Sequence, residues 1–576
     1  MTSQNILDIH LITSPKFEFD LEKHENGYYP YRIKNLQKYN PVYSLFLENE
    51  SNENEEIGLN HKYHISNLNT IVDMNTNESI ENPVFVKFSP LLDPIRYLIG
   101  KYKTQNEFLR ILPSQLSEDS ESSKCHPKLL NLNNASYIDN FFCYLSSQLV
   151  NIYQFKHGID FYGSFLGIQE KFKINIVDDI DYLNQSEHFL NSRNEVYEID
   201  DMDDPFANFG SRKNKNKIDI HNESNVSQIS VENLEITEID SEALDAELED
   251  ELMYEKTTSD SDDSSENSSN NSEMNYTSDD DSEEEESEEE SDENESEESD
   301  EESEESIEKE SESNSSSEYS EEPTLYAYIK EFPVQMICLE KCQGTLDELF
   351  MKDKMDEENA SSALFQIIMT LLAYQKAFHF THNDLHTNNV MYVETDEEFL
   401  FYKFDGKIYK VPTYGKIFKI IDFGRAIYKV NGRIYCSDSF GPEGDASTQY
   451  NFEPYMNSKK PRLEPNYSFD LCRLGCSIFD FILDEDFMQE ELDDLDELQR
   501  TIIRWCSDDN GKNMLYRTNG DERYPNFKLY KMIARSVHKH TPSNQLSDPY
   551  FSQFLCKEDC IEFSSIIDID SYPCYA

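Results

Sequence analysis

Thr381-His382-Asn383-Asp384-Leu385-His386-Thr387-Asn388-Asn389-Val390-Met391-Tyr392-Val393 opens polar and ends apolar, and the fold class turns on it. Its polar residues are spaced as His-x-Asp-x-x-x-x-Asn. An apolar run at residues 359–380 precedes it, and Leu364, Ile367, Ile368, Leu371, Leu372 and Tyr374 recur there at helical spacing. The apolar Val390 to Val393 that follows reads as a strand. A second motif, Asp422-Phe423-Gly424, closes another apolar strand, Ile417 to Ile421. A lone Asp-Phe-Gly occurs by chance, and a lone His or Asp is usually solvated surface. Weight comes from the order: helix, polar loop, strand, then strand and Asp-Phe-Gly.

In that order the two motifs resemble the catalytic loop and Asp-Phe-Gly segment of the protein-kinase superfamily. The chemistry of that family accounts for the residue types. Phosphoryl transfer needs an acceptor hydroxyl held in line with the γ-phosphate, and cations that neutralise the developing charge. By the resemblance, Asp384 accepts or orients the hydroxyl proton. Asn389 offers a neutral oxygen to Mg²⁺, and Asp422 offers a carboxylate to the metal that bridges the phosphates of ATP. His382 is a structural member of the loop. Gly424 is expected to let the chain turn sharply after the metal ligand.

Further matches extend the resemblance over residues 334–540. Asp470-Leu471-Cys472-Arg473-Leu474-Gly475 is similar to the segment that opens a buried helix in these kinases, where the Asp ties the helix N-terminus to the catalytic-loop backbone. Gln335 to Glu340, then Lys341-Cys342-Gln343-Gly344, resembles the interlobe hinge. Leu339 would border adenine, and Glu340 to Cys342 would supply backbone contacts. An ordinary core strand reads the same way. Val84-Phe85-Val86-Lys87 resembles the strand whose Lys pairs the α- and β-phosphates of ATP.

Four features depart from the family pattern. Residues 135–151 form an amphipathic helix (Ile138, Phe141, Phe142, Leu145, Leu149) where the Lys partner is expected, but they contain no Glu. Asp139 or Gln148 would substitute, or there is no such pair. No Gly-x-Gly-x-x-Gly precedes Lys87. Asn383 stands where many regulated kinases carry an Arg that pairs with an activation-segment phosphate. Activity is therefore expected to be independent of phosphorylation at Ser437, Ser439 or Thr448. His386 stands where Ser/Thr kinases usually have Lys, and only a protonated imidazole is cationic. Asp-Leu-His also occurs in small-molecule kinases and in atypical kinases such as haspin, so the loop does not define the substrate class.

The resemblance is in particular to the divergent protein-kinase-like proteins of large DNA viruses. It implies an α+β, two-lobed kinase-like fold: an N-lobe with an antiparallel sheet and a helix, a mainly helical C-lobe, and ATP and Mg²⁺ in the cleft. The implied activity is transfer of the γ-phosphate to Ser or Thr of protein substrates. Two other readings stay open. One is a catalytically weak pseudokinase scaffold that binds basic partners. The other is a small-molecule kinase.

Charge divides the chain. Of 576 residues with a net charge of −66, residues 231–322 hold 42 Asp and Glu against Lys256 and Lys309. Such a Ser- and acid-rich segment buries too little apolar surface to offset its ordering entropy. The expected organisation is residues 1–185 as N-lobe and N-terminal extension, 186–323 as a disordered insertion, and 324–576 as hinge and C-lobe. The insertion would attract basic proteins, and the acidic balance argues against direct nucleic-acid binding. Arg212-Lys213-x-Lys215-x-Lys217 is similar to a weak nuclear-import signal, although a solvated charged loop explains it as well. The 11 Cys have no zinc-type spacing and read as free thiols. No run approaches the roughly 20 apolar residues of a membrane span. The expected location is intracellular, in the cytoplasm or nucleus of a host cell or with a virion. Phe399 to Val411, with Asp405-Gly406 at its centre, reads as a surface hairpin.

Overall fold

Alternating apolar residues in five segments build the main sheet. The computed structural model describes residues 5–17, 28–47, 56–102, 106–114, 124–199, 324–352, 354–483, 495–556 and 566–576. These residues all belong to one unit, residues 1–215 with 322–576. The acidic stretch 231–322 and the basic cluster at 212–217 lie outside the described residues. The sheet comprises β1 (Ile33–Gln37), β2 (Val84–Pro90), β3 (Phe161–Asn175), β4 (Tyr197–Ile199) and β5 (Tyr326–Glu340). Its order is β1-β3-β5-β2, with β4 also on β5, and the pairings are antiparallel.

Alternation along β2 sets up the site. Val84 and Val86 face a small cluster with Met336, Cys338, Tyr162 and Phe165. A separate three-stranded sheet, Tyr63–Asn67, Thr70–Asp73 and Ser79–Glu81, brings Ile65 and Ile71 to the same cluster. Phe85, Lys87 and Ser89 therefore point to the opposite face. Helix α1 (Ala135–Tyr153) covers that face. Asn134 caps it by accepting from Ser136 N, and Gln154 ends it in the left-handed region at φ 56°. Ile138, Phe141, Phe142, Leu145 and Leu149 are all buried, as the spacing predicts.

The second half is richer in helix. Helix α2 (Glu357–Phe378) starts at Asp356, whose side chain accepts from Asn359 N, with Glu357 and Glu358 in its first turn. After the polar loop come β6 (Val390–Glu394), β7 (Phe399–Phe404), β8 (Lys407–Pro412), β9 (Lys416–Ile420), β10 (Ile427–Val430) and β11 (Arg433–Cys436). Helices α3 (Phe469–Ile482), α4 (Glu497–Trp505) and α5 (Lys528–Ser536) follow, and β12 (Ile566–Asp568) comes last. The chain is thus a mixed α+β structure with antiparallel sheets.

Two expectations need correction. The boundary at 185/186 comes too early, because residues 187–191 form a helix and β4 pairs with β5 through Ala327↔Ile199. Tyr197 and Ile199 supply the apolar anchors that the acidic composition around them obscures. The hairpin of β7 and β8 is also more than surface decoration. Asp405 and Gly406 form its two-residue turn at φ 50° and 69°. However, Leu400, Tyr402, Tyr409 and Val411 are buried, and β12 adds to β7 in parallel. His157 accounts for Tyr402: its ring nitrogens lie 2.6 Å from Tyr402 Oη and 2.7 Å from Phe418 O. Among the described residues, no helix is long and apolar enough to cross a membrane, and all the cysteines are free thiols.

Candidate active site

The loop between α2 and β6 is fixed from below by α3. Asp470, in the first turn of that helix, accepts from His382 N at 2.9 Å and from Asn383 N at 2.8 Å. The carboxylate is fully buried, and burial pushes its pKa up against the pull of His382 and the two N–H groups. His382 Nε2 lies 2.9 Å from Ile421 O, which ties the loop to the Asp-Phe-Gly segment. These contacts bring His382 and Asp470 together at the base of the loop.

Backbone conformation falls differently from expectation at the Asp-Phe-Gly turn. Asp422 itself sits in the left-handed region at φ 63°, whereas Gly424 does not. A Cβ on Gly424 would meet Asp422 Oδ1 at 3.4 Å, an ordinary contact. The sharp turn is made one step earlier, by a residue type that tolerates left-handed geometry better than most. Asn383 is in the same conformation, also at φ 63°.

Lys87 joins three distant segments. Its Nζ lies 2.6 Å from Asp139 Oδ2 on α1 and 2.8 Å from Asp422 Oδ1. The other oxygen of Asp139 accepts from Phe423 N at 2.8 Å. Of the two substitutes weighed for the missing Glu, Asp139 is the one in place. Burial works to lower the Lys87 pKa, and the two carboxylates outweigh it, so the amine stays protonated. Burial works to raise Asp422 as well, and Lys87 outweighs it, holding the carboxyl down at about 2.

Asn389 donates its Nδ2 to Asp384 O at 2.9 Å and to His386 Nε2 at 3.1 Å. An amide nitrogen only donates, so His386 Nε2 is an unprotonated acceptor. Burial lowers the His386 pKa, consistent with a neutral ring. Both amide protons being used, Oδ1 of Asn389 is the atom left to take a cation. Ile421 N donates to Asn389 O at 3.0 Å, which sets Asn389 beside Asp422. One neutral oxygen and one half-exposed carboxylate suit a hard cation that also binds phosphate oxygens. Among the described residues there is no group of three or more His, Cys, Asp and Glu arranged to hold a metal alone.

Asp384 has partners that no motif announced. Tyr530 Oη on α5 donates to Asp384 Oδ1 at 2.7 Å, and Arg473 Nε donates to that phenol oxygen at 2.9 Å. Arg425 lies 3.9 Å from Asp384 Oδ2. Burial works to raise the Asp384 pKa, and Arg425, Arg473 and Tyr530 outweigh it, holding it below the usual range. Arg425 directly follows the Asp-Phe-Gly motif and Arg473 lies within the Asp470 to Gly475 segment, so both have a local signal. Tyr530 carried no local signal.

The hinge-like strand end is only partly as expected. Leu339 is buried in the core and pairs across β2 with Phe85, which is 48% exposed. Glu340 N donates to Asp160 O at 3.0 Å, so that N–H is not open to a ligand. The Glu340 side chain pairs with Lys419 and accepts from Asp160 N. Cys342 is half-buried, and burial pushes its thiol up to about 12.

The chain matches no family model. A stretch of 131 residues, 22% of the chain, is 34% identical to the serine/threonine-protein kinase haspin of Mus musculus, of which it covers 17%. The serine/threonine-protein kinase haspin of Bos taurus is 33% identical over 131 residues, 16% of its length. The chain therefore spans about a sixth of the curated relatives it matches. This partial, distant similarity to haspin serine/threonine kinases points to a kinase-like domain.

Proposed function

We propose that the chain is a protein kinase that transfers the γ-phosphate of ATP to Ser or Thr hydroxyls of protein substrates, within a two-lobed kinase-like fold. The observation that carries this reading is the linked set Lys87–Asp139–Phe423 N and Lys87–Asp422. A protonated amine and a carboxylate from opposite ends of the sequence are held together beside a loop that presents Asp384 and Asn389.

In this reading Lys87 receives the α- and β-phosphates. Asp139 keeps the amine charged and aimed. Asp422 and Asn389 Oδ1 hold Mg²⁺, which when bound supplies positive charge to the phosphate oxygens. Asp384 has a depressed pKa, so it orients the acceptor hydroxyl and takes its proton late, rather than acting as a strong base beforehand. Leu339 and Phe85 flank the adenine, and the backbone at Cys342 faces its edge. The assembled lysine and Asp-Phe-Gly turn favour this reading over an inactive scaffold.

The test is transfer of labelled phosphate from ATP–Mg²⁺ to a mixed protein substrate by wild type, Asp384→Ala and Asp422→Asn. Transfer by wild type alone, recovered on serine and threonine after hydrolysis, supports the reading. Absence of both transfer and a nucleotide-induced thermal shift favours the scaffold reading. Consumption of ATP only with small hydroxyl compounds favours a small-molecule kinase.

A further inference from the structure

The loop acid has one oxygen already committed, and hydrogen-bond chemistry fixes the direction of that commitment. Arg473 carries only donors, so the 2.9 Å contact from its Nε makes the Tyr530 oxygen an acceptor. The single phenolic proton must then go to Asp384 Oδ1, 2.7 Å away. Oδ1 is occupied, and Oδ2 is the oxygen left for an acceptor hydroxyl. We infer that Tyr530 is a positioning residue for phosphoryl transfer: through an Arg473–Tyr530–Asp384 relay it sets the rotamer of Asp384 and presents Oδ2 to the substrate. This inference rests on the kinase reading above.

A hydroxyl 2.7 Å from the loop acid could instead occupy the acceptor's place and act as a gate. The packing argues against that. The Tyr530 ring stacks on Phe527 at 5.3 Å with 18° between planes and lies 6.1 Å from Phe469. The guanidinium of Arg473 lies 5.1 Å from the ring centroid, and that of Arg425 lies 5.6 Å from it. Leu529, Ile533 and Ala534 bury the same helix in the core. A ring held between two cations and two aromatic rings, on an anchored helix, is built to stay. The relay also supplies a donor to Asp384 in a loop where neutral His386 offers no positive charge.

The experiment uses the full chain with Tyr530→Phe, which keeps the ring, the stacking and both cation–π contacts and removes only the oxygen. The expected result is a fall in kcat of about tenfold or more, with KM for ATP and the Mg–ADP thermal shift unchanged. An unchanged kcat overturns the inference. A raised kcat also overturns it, by making the phenol an occupant of the acceptor site. A second measurement needs no activity: 3-fluorotyrosine at position 530 should give a ¹⁹F resonance that moves on Asp384→Asn and stays put on Asp405→Asn, in the turn between β7 and β8. A resonance indifferent to Asp384 overturns the contact itself. A wild type that transfers no phosphate overturns the kinase reading and the positioning role with it. Activity in wild type with no effect of Tyr530→Phe overturns the positioning role alone.

Discussion

Tyr450 Oη donates to Asn383 Oδ1 at 2.8 Å, and both residues are buried. Asn383 Nδ2 in turn reaches Thr381 O at 3.2 Å and Arg425 O at 3.0 Å. The segment after Asp-Phe-Gly is therefore tied to the loop by neutral hydrogen bonds. A second tie is charged: Asp438 pairs with Lys128 at 2.8 Å and accepts from Ala135 N, at the start of α1, at 3.1 Å. A carboxylate at that helix start is favourably placed.

With these ties in place, the proposed kinase is expected to need no phosphate to hold the segment. Phosphatase treatment and Ser439→Ala are expected to leave phosphotransfer within about twofold of untreated wild type. Tyr450→Phe, by contrast, leaves a buried amide oxygen unpaired and should cost about 1–3 kcal/mol. Denaturant unfolding checks the second outcome. A phosphatase-sensitive wild type would contradict the first.

Asp139→Asn should separate the amine from its fixed partner. A buried pair broken on one side costs about 3–5 kcal/mol, and the remaining contact of Lys87 with Asp422 puts this case at the lower end. Nucleotide affinity and phosphotransfer should both fall, because Lys87 meets an amide donor where it had a carboxylate oxygen, while Oδ1 can still accept from Phe423 N. Calorimetric unfolding and Mg–ADP titration check this. Gln148→Ala, at the other position weighed, should leave nucleotide affinity unchanged.

Acid sensitivity should have a histidine component. Burial holds the His157 pKa down at about 3, against 6.5 when unfolded. Between these values the unfolded chain binds the proton and the folded chain does not, so stability falls as pH drops below 6.5. The slope is about 1.4 kcal/mol per pH unit for this group. His157→Gln can retain a bond to Phe418 O or Tyr402 Oη and should flatten the pH dependence of unfolding free energy between pH 6.5 and 4.5 by that amount. An unchanged slope would show that His157 takes up its proton in the fold.

Gly167 lies on β3 opposite the irregularity in its antiparallel pairing with β1. A Cβ there would stand 2.2 Å from Ile33 Cγ2. Gly167→Ala should destabilise by about 1–3 kcal/mol through overpacking. Ile33→Ala in the same chain should recover part of that loss, which a double-mutant cycle in urea would measure.

The sequence carried the loop, the Asp-Phe-Gly turn, Asp470, the run of α1 and the Asp-Gly hairpin because each is written in local order. Helical or alternating spacing and turn chemistry depend on neighbours within a few residues. The role of the hairpin was not legible, since burial of Tyr402 depends on His157, 245 residues earlier. The end of the first half was misjudged because two apolar residues of β4 lie next to an acidic run. A glycine is the usual sign of a left-handed residue and an Asp is not, so local order points to Gly424 for the turn that Asp422 makes.

Local order alone names the groups available for chemistry: Asp384, Asn389 and Asp422 in fixed sequence, a lysine on a strand, and no glutamate on the helix behind it. Their partners came with the packing: Asp139 meets Lys87, Tyr450 hydrogen-bonds Asn383, and Tyr530 takes one oxygen of Asp384. Local order is set by backbone spacing over a few residues. A hydrogen bond between residues 146 apart, such as Tyr530 to Asp384, exists only once the helix that carries Tyr530 has packed against the loop that carries Asp384.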